Sequence, residues 1–217
     1  GDNRDLHSFP TRRSSDLLNG SLDYVTSGIG ISATPSVEIF QANFGTRSYI
    51  PVQIEVTASA QHGELQFIGT AVPAGGVALE IEGTDGVATI DLARGVAASA
   101  IVAAVHVVSD ATGISATLIG AGSGVRFVTR GWGSDEFVAI SPLQQSTFST
   151  VDTDGDTRDR DYGRDVQGLI NGTDATLRGQ TLEINTTTLD MRVTFDDAFG
   201  QGTPSFAICG GRSEEHT

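Results

Sequence analysis

LEIEGTDGVATIDLARGVAASAIVAAVHVVSDATGISATLIGAGSGVRFVTRGWGSDEFVAIS, residues Leu79–Ser141, is the stretch that decides the fold. "VALEIEG" and "GVATIDL" alternate apolar and polar residues on either side of Thr84-Asp85-Gly86. Alternation sends one kind of side chain to one face of a strand, and Asp-Gly between two such runs signals a hairpin. Over Val96–Asp110 the period changes. Ala97, Ile101, Val105 and Val108 recur three or four apart, which puts them on one helical face. Ser99 comes too late to cap this helix, and Gly113 supplies its stop. "GISATLIG", "GVRFVTR" and "EFVAIS" then read as three strands parted by glycine-rich turns. A hairpin, one helix and three strands make a small α+β unit.

Upstream, "YIPVQIEVTA" (Tyr49–Ala58) alternates strictly, with Val52, Ile54 and Val56 on one face, and Gly63–Thr70 continues the pattern through Leu65 and Phe67. Leu17–Ser36 is polar, broken by Gly and Pro, and reads as a connector. Downstream of Pro142 the texture shifts. Val151–Asp165 is a run of charge that reads as a loop. "VQGLIN", "DATLRG", "TLEINT", "MRVTF" and "SFAI" follow as short strands, with Asn171-Gly172 and Arg178-Gly179 at turns. The expected fold class is α+β, mostly β. The expected organisation is a connector over 18–48, an α+β domain over 49–141 and a β-rich domain over 142–211.

The two ends have a different texture. His7–Leu17 reads as the in-frame translation of a short-read sequencing adapter, and Arg212–Thr217 as the start of its partner. Residues 1–17 and 212–217 are therefore expected to be non-native, and 18–211 an internal fragment without its natural termini. The full chain carries 27 acidic residues against 13 basic ones, for a net charge of −14. Every basic residue is arginine. Nucleic acid is not expected as a partner, because counterion release needs clustered positive charge. Membrane insertion is not expected either, because no apolar run approaches the ~20 residues of a spanning helix. Cys209 is the single cysteine, so no disulfide can form within the chain.

Leu79–Ser141 resembles the hook-IN motif of large bacterial flagellins: a hairpin, a helix ending near "TGISA", a strand, then a "GSDEFV" strand. "GRDVQGLINGTDATLRGQTLEINTTTLDMRVTF" is similar to the stretch that follows it in large flagellins and in the filament-cap protein. "LLNGSLDYVTSG" and "QANFGTRSYIPVQIEV" resemble the way such flagellins leave their first helical region. The resemblance implies a surface-exposed, variable part of a flagellar filament subunit, extracellular and structural. Its implied partners are other flagellin subunits, met through terminal helices that are not in this sequence, and an export chaperone. A fragment of the filament-cap or hook-associated protein is the alternative. A carbohydrate-binding or adhesin module is a further one.

No residue pattern argues for an enzyme. Asp152, Asp154 and Asp156 form D-x-D-G-D, which resembles the start of a calcium loop. Thr157 and Gly163 stand where such a loop needs Gly and Glu, however, and Arg158 and Arg160 repel a cation. A solvated loop with internal Arg–Asp pairing is expected. His62 and His106 lack any zinc-site spacing, and Cys209 lacks a base partner. Gly120–Gly124 lies between strands and reads as a turn rather than a phosphate loop. No catalytic, cofactor or metal residue is therefore assigned. Trp132, between two glycines, is expected either to plug the gap between helix and sheet or to anchor a partner, with packing favoured. Asn171-Gly-Thr and Asn185-Thr-Thr match the N-glycosylation pattern, and exposed Ser and Thr such as those of "INTTTLD" could accept O-linked sugar.

Overall fold

The structure, a computed structural model, describes residues 24–27, 36–197 and 199–210. The two adapter-like ends lie outside the described residues, as do 18–23 and 28–35 of the expected connector. In chain order the strands before the helix are β1 (Tyr24–Ser27), β2 (Ser36–Ala42), β3 (Tyr49–Ala58), β4 (Glu64–Ile68), β5 (Val77–Gly83) and β6 (Gly86–Leu92). The helix α1 (Ala98–Thr112) leads to β7 (Ile114–Ile119), β8 (Gly124–Thr129), β9 (Phe137–Pro142) and β10 (Arg160–Tyr162). The remainder is β11 (Gln167–Ile170), β12 (Thr173–Asp174), β13 (Thr176–Arg178), β14 (Thr181–Asn185), β15 (Leu189–Thr194) and β16 (Ser205–Gly210). The fold is α+β and mostly β, as its sequence periods predict.

Two antiparallel sheets, ordered β10-β9-β5-β6 and β4-β8-β7, enclose one core with α1. Leu79, Ile81, Ile101, Val105, Phe127 and Ile140 are among its most buried members. The β5–β6 hairpin closes over Thr84-Asp85, with Gly83 opposite Gly86. The first helical amide, on Ala98, donates to the Thr70 carbonyl, and no side chain caps the helix. Gly113 ends it in the left-handed conformation, φ 73°, with its N–H on the Ser109 carbonyl. The buried face is Ala98, Ile101, Val105 and Thr112. Ala97, expected on that face, is exposed and serves as the N-cap, so the stripe starts one residue later.

Two further antiparallel sheets, β1-β16-β3-β11-β12 and β13-β14-β15-β2, share a second core built from Val52, Ile54, Ile170, Leu182, Met191 and Ile208. The alternation of Tyr49–Ala58 is realised residue by residue as an exposed–buried strand. Asn171 and Gly172 both have positive φ, 51° and 73°, which is the two-residue turn that Asn-Gly favours.

The expected boundaries need correcting. Strand β3, assigned by sequence to the first domain, pairs with β16 and β11 and buries its face in the second core. Strand β2, assigned to the connector, pairs along β15. Residues after Pro142 return to the first unit, where Val151 bridges Gln66 and β10 pairs β9. The first unit, roughly residues 62–164, is thus inserted between β3 and β11 of the second. A strand's own pattern shows which face it buries, not which distant strand it pairs with. Strand β10 lies inside the expected loop. It is short and polar, with Arg160 over the Phe137 ring at 4.6 Å and ion-paired to Glu82, so it has no apolar period to read.

Candidate functional site

The insertion forces the chain to cross between the units twice, near residue 60 and near residue 165. A third segment, the Trp132 loop between β8 and β9, reaches over from the first unit. Gln61 and Arg164 exchange backbone hydrogen bonds at 2.8 and 3.0 Å, and Gly133 N–H donates to the Gln61 carbonyl at 3.1 Å. Val166 N–H donates to the Gly179 carbonyl at 2.8 Å. The segments approach too closely for side chains. A Cβ on Gly133 would lie 2.4 Å from Asp165 Oδ1 and 2.6 Å from Gly179 Cα, at a φ of +100°.

Asp165 ties the crossing together. Its Oδ1 accepts from the Ser134 amide at 3.0 Å and from the Gly179 amide at 2.7 Å, and its Oδ2 accepts from the Ser134 hydroxyl at 2.5 Å. One carboxylate so joins the Trp132 loop, the return crossing and the β13–β14 turn. Burial raises the Asp165 pKa. The bonds from the Ser134 hydroxyl, the Gly179 amide and the Ser134 amide, with the Arg178 charge, outweigh that and hold it below the usual carboxylate range. Arg178 also pairs with Asp135 at 3.4 Å, but both side chains are solvated and the pair contributes little.

Trp132 packs against the second core, and its ring centroid lies 3.7 Å from that of His62. His62 Nδ1 donates to the Gly131 carbonyl at 2.7 Å, which fixes the ring against the indole. Trp132 is therefore a packing residue, but it fills the joint between units rather than a gap between helix and sheet. A cleft of about 380 Å³ opens beside the stack, lined among others by Glu64, Arg126, Asp152, Asp161 and Arg164. Glu64 and Arg126 are paired at 2.6 Å. Burial raises the Glu64 pKa, while Arg126 and Gln66, with the His62 charge, lower it further than burial lifts it.

Asp152, in the D-x-D-G-D run, is buried, and its carboxylate is saturated from within. Oδ1 accepts from the Asp154 and Asp156 amides at 3.0 and 2.9 Å, and Oδ2 meets Arg158 Nε at 2.6 Å. Asp154 and Asp156 do not converge with it on a common point: among the described residues no group of three or more His, Cys, Asp or Glu could hold a metal ion. His106 sits at the helix flank with Nε2 on the Ala116 carbonyl at 3.0 Å, far from His62 in the sequence and in a different contact. Cys209 is partly buried on β16. The Gly120–Gly124 run forms the β7–β8 turn. The Asn171 amide is occupied, with Oδ1 accepting from Gln53 N at 2.8 Å and Nδ2 donating to the Pro51 carbonyl.

Sequence reading singles out Trp132 but not Asp165 or Ser134. The density of glycine around them, Gly63, Gly131, Gly133, Gly163 and Gly179, is the signal that marks a close crossing of backbones.

An acid titration reads the carboxylates of this joint. A depressed folded-state pKa contributes stability that is full above the unfolded-state value and is lost as pH falls through the folded-state one. Both Asp165 and Glu64 have lowered values. The urea midpoint should fall on acidification from about pH 5 to about pH 2, and Glu64→Gln should flatten that slope. An equal slope in the variant would show that Glu64 carries none of it.

No protein-family model matches the chain, and no curated protein matches it in sequence. In fold it is similar to the D2–D3 domains of the flagellar cap protein FliD from Escherichia coli, with a TM-score of 0.56 and 18% identity over 87% of this chain and 99% of that one. It is also similar to the D1–D2–D3 domains of the same cap protein, with a TM-score of 0.53 and 19% identity over 88% of this chain. The chain spans 57% of that longer structure. At such identity the likeness is one of fold.

Proposed function

We propose that the chain is the two-unit outer portion of an extracellular bacterial flagellar protein, of the filament-cap type, with a structural rather than an enzymatic role. The observation that carries this reading is the near-complete overlap with a two-domain cap fragment: 87% of this chain is matched to 99% of that fragment. The resemblance of Leu79–Ser141 to the hook-IN motif supports a flagellar role from sequence. It fits a filament subunit as well as a cap, and the likeness in fold favours the cap. An acidic balance of −14 suits a surface that repels its own copies in solution.

Immunogold labelling tests the assignment. Antibodies raised against the chain are applied to flagellated cells that carry the complete gene. Label confined to the filament tip is the expected result. Label along the shaft would return the reading to a filament subunit, and unlabelled flagella would reject both.

A further inference from the structure

The two cores share no strand. Among the described residues each sheet lies wholly in one unit, so the angle between units is set by the crossing and by the Trp132 loop that reaches over it. Two peptide links and a few backbone hydrogen bonds would leave a hinge. The Trp132 loop adds a third strut, and Asp165 is what fastens that strut to the second unit. We propose that Asp165 is a positioning residue that locks the two units into one rigid arm, and that without its hydrogen bonds they turn as two bodies while each stays folded. Three observations converge on this. Its three accepted bonds come from donors on two other segments, Ser134 and Gly179. The flanking glycines bring those segments to distances that exclude any Cβ, as at Gly163, where one would lie 2.3 Å from the Gly133 carbonyl oxygen. The Trp132 ring is seated against the second core, so freeing its loop removes an apolar contact as well as the polar ones.

The chemistry separates charge from geometry. In Asp165→Asn the amide oxygen can accept both backbone N–H bonds, and the amide nitrogen can donate to the Ser134 hydroxyl, which is itself able to accept. Asp165→Ala offers none of these. Residual dipolar couplings on the full chain read the orientation of each unit. One alignment tensor should fit both units in the parent and in Asp165→Asn. Two unequal tensors should be needed in Asp165→Ala, with each unit still fitting its own. A single tensor in Asp165→Ala, or two already in the parent, would overturn the proposal. Should Asp165→Ala unfold a unit, Ser134→Ala decides. It keeps both amide bonds but loses the hydroxyl, and should show partial divergence of the tensors; identical tensors there would equally overturn the lock.

Discussion

Replacing Phe127 with alanine should destabilise the first unit by about 3–5 kcal/mol, the range for emptying an aromatic site in a packed core. Phe127 is fully buried and is among the largest side chains to be so. It stands in the middle strand of its sheet, with Leu65 of β4 on one side and Ala116 of β7 on the other, both also buried. Neither neighbour can fill the space. Ala116 is small, and Leu65 is held in register by the ladder. A domain is stable by only about 5–15 kcal/mol, so this loss is a large share. Because the cores are separate, the loss should be local. Hydrogen exchange by mass spectrometry should show amides of β4, β7 and β8 losing protection while those of β3 and β16 keep theirs. Equal loss in both sets would mean that the two cores unfold as one cooperative element, and that the joint transmits stability as well as orientation.

That separation of cores is what the sequence hides. The period of each segment identifies the helix and most of the strands, though not β1 and β2 in the expected connector or β10 in the expected loop. Alternation over Tyr49–Ala58 gave a half-buried strand, and the i, i+3, i+4 spacing of Ile101 and Val105 gave the helix. Period is a local property, however. Strand β3 finds its partners in residues 167–170 and 205–210, more than a hundred positions away, and no local pattern records that pairing. A division into consecutive domains is the natural reading of a chain whose texture shifts at Pro142, and it fails because one unit is inserted in the other. The joint was legible only in part. Trp132 stands out as the single tryptophan between two glycines. Asp165 does not, since it closes a run that already holds Asp152, Asp154, Asp156, Asp159 and Asp161. What distinguishes it is which amides the folded chain brings to it.

A large effect of a single added methyl group is expected at Gly163. Its Cβ would sit 2.3 Å from the Gly133 carbonyl oxygen and 2.6 Å from that of Gln61. Both obstacles are backbone, so no rotamer change relieves the clash. Neither is free to retreat. The Gln61 carbonyl accepts from Gly133 and Arg164, the Gly133 carbonyl accepts from the Glu136 amide at 3.1 Å, and Gly163 N–H is itself held by the Glu136 carbonyl at 2.8 Å. Overpacking usually costs about 1–3 kcal/mol, and a site where pinned backbone must move belongs at the top of that range. For a chain of this size about 3 kcal/mol corresponds to a fall of about 6–12 °C in Tm. Gly75→Ala is the matched control, since a Cβ there meets nothing within 4 Å. It should leave Tm nearly unchanged, because it adds the same methyl group without the crossing. Equal Tm values for the two variants would mean that the backbones do not meet as closely as the joint requires. A large fall in Gly163→Ala alone would show that the glycines of the crossing are there for space, and that the arm is built around a close approach of its own backbone.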